Sequence, residues 1–271
     1  MRIGVVATGG PLSREVVEPV LAIAAEVDPA IAIDFHDQCF ERHGHFAGTD
    51  QARADAFVEY ANDPDFDALW FGRGGYGTCR IAEEVIARLG PAARAKTYLG
   101  YSDSGYLLAG LYKAGFERVA HGPMPGDIVS RGAEPVARAL RWLARRDPDC
   151  LEPSLAAGGK AAAFNMIVFS QLLGTALEPD LTGHVLMLEE VEEYMYRIDR
   201  TMFHISGNRN VRKVAGIRLG SCAPIPPNDP EFGCGEQEVV RYWCERAGIS
   251  WLGRAEIGHD AGNRVVPFGG R

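Results

Sequence analysis

Strand-like and helix-like segments alternate along the first half of this chain, and that alternation limits its fold more than any other feature. Residues 3–7 (Ile-Gly-Val-Val-Ala) read as a buried strand, followed by a Thr8-Gly9-Gly10-Pro11 loop and a helix over about 13–27. Residues 30–35 read as a second strand and 50–62 carry helical spacing. Residues 67–71 (Asp-Ala-Leu-Trp-Phe) form a third strand ending in a glycine loop. A helix over 81–89 and a fourth strand at 98–101 complete the series. Short apolar strand-like runs alternating with stretches of helical spacing predict an α/β fold with a mostly parallel sheet flanked by helices. Ligand sites in such sheets lie beyond the carboxyl ends of the strands. The loops at 8–11 and 72–77 and the turn at Ser102 all fall there.

A break follows the helix expected over 134–145. Arg145-Arg146-Asp147-Pro148-Asp149 is polar and proline-bearing, and 153–160 is rich in small residues, which reads as a linker. We therefore expect an N-terminal domain (1–146), a linker (147–160) and a C-terminal domain (161–271) with a cleft between them. In the second half, helices are expected over 165–173 and 193–206, and strands over 185–188 and 214–219. Glu189 ends the apolar run 185–188, where a buried carboxylate needs a partner. Otherwise it would be a first-turn residue of the next helix, as Glu192 and Glu193 are expected to be.

A net charge of −8 over 271 residues disfavours nucleic-acid or anionic-membrane partners. The first residues reach glycine too soon for a signal peptide, and no run is long enough to span a bilayer. The six cysteines are scattered without a C-x-x-C pair, which suits free thiols in a soluble, cytoplasmic protein. His36, His43 and His45, near Asp34 and Asp37, have no recognised metal-ligand spacing.

Two motifs carry chemistry. Gly100-Tyr101-Ser102-Asp103-Ser104 stands between a strand-like run and an apolar helical stretch. A serine on such a turn projects its hydroxyl above the sheet, and the following backbone N–H groups point at the same space. That suits a nucleophile with its own oxyanion site, and it equally suits an ordinary turn with a capping serine. Gly72-Arg73-Gly74-Gly75-Tyr76-Gly77 satisfies G-x-G-x-x-G. However, it follows the third strand, not the first, and no isolated acidic strand end comes after it at the expected distance. Three readings stay open: nucleotide binding, a tight turn, or a loop donating N–H groups to a reacting oxygen near Ser102. Arg73 and Arg80 flank this loop and either hold a peptide's terminal carboxylate or make ion pairs within the fold.

Further residues join these motifs in a fixed order. Arg73-Gly74-Gly75-Tyr76-Gly77-x-x-Arg80, Gly100-Tyr101-Ser102-Asp103 and His121-Gly122-Pro123-Met124 are followed by Leu188-Glu189-Glu190-Val191, Tyr196-Arg197-Ile198-Asp199-Arg200 and Gly258-His259. The set, which begins upstream at 46–53 and covers nearly the whole chain, resembles the LD-carboxypeptidase family of serine peptidases. That family includes muramoyl-tetrapeptide carboxypeptidases and microcin-C self-immunity peptidases. The resemblance implies a Rossmann-like N-terminal domain, a smaller β-rich C-terminal domain, and usually a homodimer. It implies a catalytic triad of Ser102, Glu189 and His259, with an oxyanion hole from the backbone N–H groups of Gly75 and Asp103. The Asp103 carboxylate is expected to hold the turn.

The expected activity is hydrolysis of the amide between an L-configured centre and a C-terminal D-amino acid, such as D-alanine on a peptidoglycan tetrapeptide. The expected partner is a small peptide or muropeptide, and no metal or organic cofactor is required. The alternatives are a microcin-C-type peptidyl-nucleotide peptidase and, from a different class, a nucleotide-binding module using 72–77. The chain departs from the family pattern at Glu190 (aspartate in the family), at Gly105 (threonine) and at Ala162-Ala163-Phe164-Asn165 (W-G-G-N).

Overall fold

Short runs of branched and aromatic residues between glycine- and proline-bearing loops form five strands in the first half. They are β1 (Arg2–Val6), β2 (Ala32–Phe35), β3 (Ala68–Phe71), β4 (Thr97–Gly100) and β5 (Val119–His121). The helices of this half are α1 (Val17–Val27), α2 (Asp50–Asn62), α3 (Ala82–Ala87), α4 (Gly105–Lys113), α5 (Ile128–Arg131) and α6 (Ala133–Arg145). The computed structural model of the protein describes residues 1–270. Its first sheet runs β2-β1-β3-β4-β5 with every pair parallel. This is the doubly wound α/β sheet expected from the alternation. β1 and β3 are neighbours although β2 lies between them in sequence, so the crossovers diverge at their carboxyl ends and open a crevice there.

The second half builds a parallel sheet in sequence order from β6 (Lys160–Asn165), β7 (His184–Glu189), β8 (Gly216–Leu219) and β9 (Trp251–Arg254). Its helices are α7 (Met166–Leu172), α8 (Met195–Gly207) and α9 (Glu236–Ala247). Finally β10 (Val266–Pro267) returns to the first sheet and pairs antiparallel with β5, Val266 opposite His121.

One hydrophobic cluster spans both halves. Leu107, Leu108 and Leu111 on α4 pack in it with Phe164, Phe169 and Leu172 of β6 and α7. A fully buried phenylalanine contributes about 1.5–3 kcal/mol. Phe164 and Phe169 stack at 5.1 Å between ring centroids. This shared core fixes the carboxyl ends of β4 and β7 against each other.

Several boundaries differ from the sequence expectation. The first helix begins at Val17, after a 3-10 turn (Arg14–Val16) whose Glu15 N–H donates to Ser13 Oγ. Ala161-Ala162-Ala163, expected next to the linker, lies inside β6, and α9 and β9 occupy a region with no sequence assignment. α8 begins at Met195, so Glu192 and Glu193 precede it and are not residues of its first turn; the Glu193 carboxylate accepts from the Tyr194 N–H instead. Among the described residues, no helix is long and apolar enough to cross a membrane.

Candidate active site

Ser102 sits where β4 gives way to α4, in a 3-10 turn (Ser102–Ser104). Its φ is +60°, in the left-handed region that L-residues other than glycine seldom adopt. Such strain persists only where the surroundings enforce it, and it concentrates at functional sites. Here the enforcing contacts are local: the Ser104 N–H and Oγ–H both donate to the Tyr101 carbonyl.

The glycine loop after β3 closes over this serine. A Cβ on Gly74 would stand 2.8 Å from Ser102 Oγ and 2.9 Å from Ser102 Cβ, so only glycine permits the approach. The Asp103 carboxylate accepts from the Thr78 N–H at 2.9 Å and so ties the turn to the end of that loop. Burial raises the Asp103 carboxyl above the ordinary range, with the Thr78 donors drawing it partly back. Arg53, fully buried, donates to the carbonyls of Thr8 and Gly77 and joins the β1 loop to the glycine loop. Among the described residues, the backbone N–H groups of Gly75 and Asp103 find no acceptor in the protein. Gly74→Ala is expected to lower kcat/KM by at least about 100-fold with little change in the thermal unfolding midpoint. Wild-type kinetics in that variant would remove the loop from the site.

The second half supplies the other two residues. Glu189 is the last residue of β7 and is fully buried. Its Oε2 accepts from His259 Nδ1 at 2.7 Å. The opposite nitrogen of the ring, Nε2, lies 3.0 Å from Ser102 Oγ, placed to accept the serine hydroxyl. With Glu189 on Nδ1, the assigned tautomer leaves Nε2 unprotonated and able to take a proton. The Tyr101 ring, 4.8 Å from the imidazole between centroids, packs on it. Burial works to lower the His259 pKa, but the Glu189 charge and hydrogen bond outweigh it, and the imidazole is raised above its usual value.

The departures from the family pattern meet beside this row. The Glu190 carboxylate accepts from Asn165 Nδ2 at 2.8 Å, from the Ile167 N–H at 3.0 Å and from the Val191 N–H at 3.0 Å. The longer arm thereby pins the end of β7 to the start of α7. Burial and the neighbouring Glu189 charge push the Glu190 carboxyl up to about 7. A Cβ on Gly105 would stand 3.1 Å from Val168 and 3.5 Å from Phe164, so the Gly105 and Phe164 departures share one space.

Ser102, His259, Gly74, Gly75 and Arg73 line one cavity of about 390 Å³ at the β1/β3 crevice. Arg80 does not: it is chelated by Asp50, Nε at 2.8 Å and Nη2 at 2.7 Å from Oδ2. The ion-pair reading therefore holds for Arg80, whereas among the described residues the Arg73 guanidinium reaches only the Pro11 carbonyl, at 3.2 Å. His121 is fully buried with Nε2 at 3.1 Å from Asn263 Oδ1, and burial pushes it down to about 4, so it stays neutral. His36 lies 3.5 Å from Glu59. Among the described residues, no group of three or more His, Cys, Asp or Glu side chains is arranged to hold a metal ion.

Sequence reasoning did not single out Tyr101, Asp127 and Arg131. Asp127 accepts from the Tyr101 hydroxyl at 2.8 Å and from Arg131 Nη1 at 2.7 Å, and all three line the cavity. Only the position of Tyr101 inside the Gly-Tyr-Ser-Asp turn hinted at them.

A doubly wound α/β protein whose cleft sets a serine, a histidine and a glutamate in one hydrogen-bonded row has the architecture of a hydrolase. Residues 3–122 match the LD-carboxypeptidase N-terminal domain and residues 158–271 the LD-carboxypeptidase C-terminal domain. The chain belongs to the LD-carboxypeptidase family and is a peptidase. It is 30% identical to a putative carboxypeptidase of Synechocystis sp. over 85% of this chain and 77% of that one. It is 25% identical to a probable murein peptide carboxypeptidase of Bacillus subtilis over 99% of this chain and 87% of that one. The crystal structure of a muramoyltetrapeptide carboxypeptidase from Oxalobacter formigenes superposes with a TM-score of 0.81 at 21% identity, covering 99% and 93% of the two chains.

Proposed function

We propose that this protein is a serine LD-carboxypeptidase that removes a C-terminal D-amino acid, as in D-alanine release from peptidoglycan tetrapeptide. The observation that carries the reading is the row Glu189–His259–Ser102, with contacts of 2.7 and 3.0 Å, opening on a cavity lined by the glycine loop. Ser102 Oγ attacks the carbonyl carbon of the scissile amide while its proton passes to His259 Nε2. The carbonyl oxygen becomes an oxyanion held by the N–H groups of Gly75 and Asp103. The C–N bond then breaks, His259 gives its proton to the departing amine, and the D-amino acid leaves. Water attacks the resulting ester, its proton going to His259 and then back to Ser102 Oγ. Glu189 orients the imidazole throughout and offsets the charge of imidazolium.

In this reading the nucleophile is carried by a first domain (1–146), joined through 147–160 to a second (161–271) that carries Glu189 and His259. The scattered cysteines suit a cytoplasmic location and the family resemblance suggests a homodimer; cell fractionation tests the first and light scattering the second, a monomer mass excluding it.

A raised His259 pKa has a pH consequence. The base must be neutral to act, so activity is lost as pH falls through the pKa of His259. The acid limb of kcat/KM is expected above the ordinary imidazole value of about 6.5. A limb below that value would contradict the assignment of His259 as base.

The deciding experiment is D-alanine release from disaccharide tetrapeptide by wild type and Ser102→Ala side by side. Release by wild type alone supports both substrate and nucleophile. Equal release by both excludes Ser102. If neither releases D-alanine, the muropeptide reading fails and aminoacyl-nucleotide amides become the substrates to assay.

A further inference from the structure

We propose that Arg131 and Arg73 together form the seat for the substrate's terminal carboxylate, making the site select free C-termini over internal amides. This deepens the carboxypeptidase reading and rests on it for the nature of the ligand.

In a C-terminal residue the scissile nitrogen, Cα and carboxylate are consecutive. A carboxylate recognised by the enzyme must therefore sit in the same cavity as Ser102. Arg73 and Arg131 are the guanidinium groups that line it. Among the described residues Arg73 has no carboxylate partner, its guanidinium meeting one backbone carbonyl, that of Pro11.

Arg131 is held from one side only. Its Nη1 donates to Asp127 Oδ1 at 2.7 Å and to Ser130 Oγ at 2.8 Å, while its buried Nε has no partner. Among the described residues, Asp127 is the sole carboxylate lining the cavity, and it is already engaged. It also accepts from the Tyr101 hydroxyl at 2.8 Å and from the Met124 N–H at 2.8 Å. Arg131, only partly exposed, is engaged by Asp127 through Nη1, and Arg73 faces the open side of the cleft, so both guanidiniums keep donors free for a bound carboxylate. Asp127 holds Arg131 in place, and Leu12, Val16, Met124 and Val129 provide apolar wall for a small terminal side chain. Arg80, bound by Asp50, lies outside the cavity and serves as the internal control.

The test compares a tetrapeptide ending in D-alanine with the same peptide as its C-terminal amide, using the full-length protein. Wild type is expected to favour the acid. Arg131→Gln and Arg73→Gln should each raise KM for the acid about 10- to 100-fold with kcat little changed. The amide should scarcely respond, so the preference collapses. Arg131→Lys should recover part of it, and Arg80→Gln should keep it whole. An undiminished preference in both glutamine variants would overturn the proposal. Should Arg131→Gln fail to fold, Arg73→Gln and Arg131→Lys carry the comparison.

Calorimetric binding of both peptides to Ser102→Ala gives a readout free of turnover. Equal affinity for acid and amide overturns the carboxylate seat. If wild type hydrolyses neither peptide, yet Ser102→Ala prefers the acid and loses that preference with Arg131→Gln added, the seat stands and the hydrolytic reading falls.

Discussion

Ser102→Ala is expected to lower kcat for D-alanine release by about 10⁶-fold, the loss typical when the nucleophile of a serine–histidine unit is removed. The variant should fold normally. Deleting Oγ takes away the hydroxyl that faces His259 Nε2 but no core contact, and it leaves the Ser104 bonds that fix the turn. The Gly75 and Asp103 N–H groups also remain, so a residual rate of about 10³–10⁴ over water is expected. His259→Ala should lose a comparable amount, because an unactivated serine hydroxyl is a weak nucleophile at neutral pH. The telling comparison is the double variant. Residues that act as a unit give non-additive losses, so Ser102→Ala/His259→Ala should be no slower than either single variant. Additive losses, measured as kcat in single-turnover assays, would mean that the 3.0 Å contact between the two does no chemistry.

Glu189→Gln should reduce kcat by about 10⁴-fold at a nearly unchanged KM. Glutamine keeps the volume and one oxygen, so the fully buried end of β7 should stay packed. What changes is the proton on the ring. A glutamine amide can turn its NH₂ toward His259 Nδ1 and favour the tautomer with Nε2 protonated, which cannot accept from Ser102. The pH profile provides an independent readout. In the wild type the Glu189 charge and hydrogen bond outweigh a burial effect that by itself lowers the imidazole pKa. Removing that charge leaves burial unopposed by its strongest counterweight, so the residual activity of Glu189→Gln should show its acid limb at lower pH than wild type. A merely structural role for Glu189 would change stability and leave the limb in place. An acid limb at the wild-type position would therefore refute the electrostatic support of the imidazole by Glu189.

Much of the first sheet was legible because its signals are local. A short apolar run for a buried strand and a period of 3.6 for a helix are both set by neighbouring residues, and the alternation of 3–7, 13–27, 30–35 and 50–62 displays them. The Ser102 turn was legible for the same reason: strand, short polar turn and apolar helix lie within about a dozen residues. The carboxylate at the end of β7 could be read from the apolar run before it.

Other elements did not obey local preference. Alanine has little tendency to form strands, yet Ala161, Ala162 and Ala163 are extended because their backbone groups pair with β7 and their small side chains fit a fully packed core. Arg131 gave no signal, since a four-residue helix carries no periodicity and its meaning lies in Asp127 and the cavity beyond. The two arginines of the glycine loop were indistinguishable as letters. Asp50, some 30 residues before Arg80, decides that one is structural and the other faces the cavity.

The sequence by itself therefore determined the class of fold and the strand-to-helix turn at Ser102, because each depends on residues near in the chain, and it carried the ordered motifs that resemble the family. Only the tertiary structure decided that His259 reaches Ser102 across 157 positions and Glu189 across 70. No local preference spans such separations. The row exists because two sheets share one core, in which α4 packs on β6 and α7 and β10 returns to β5, and that packing brings the carboxyl ends of β4 and β7 to the two sides of one imidazole.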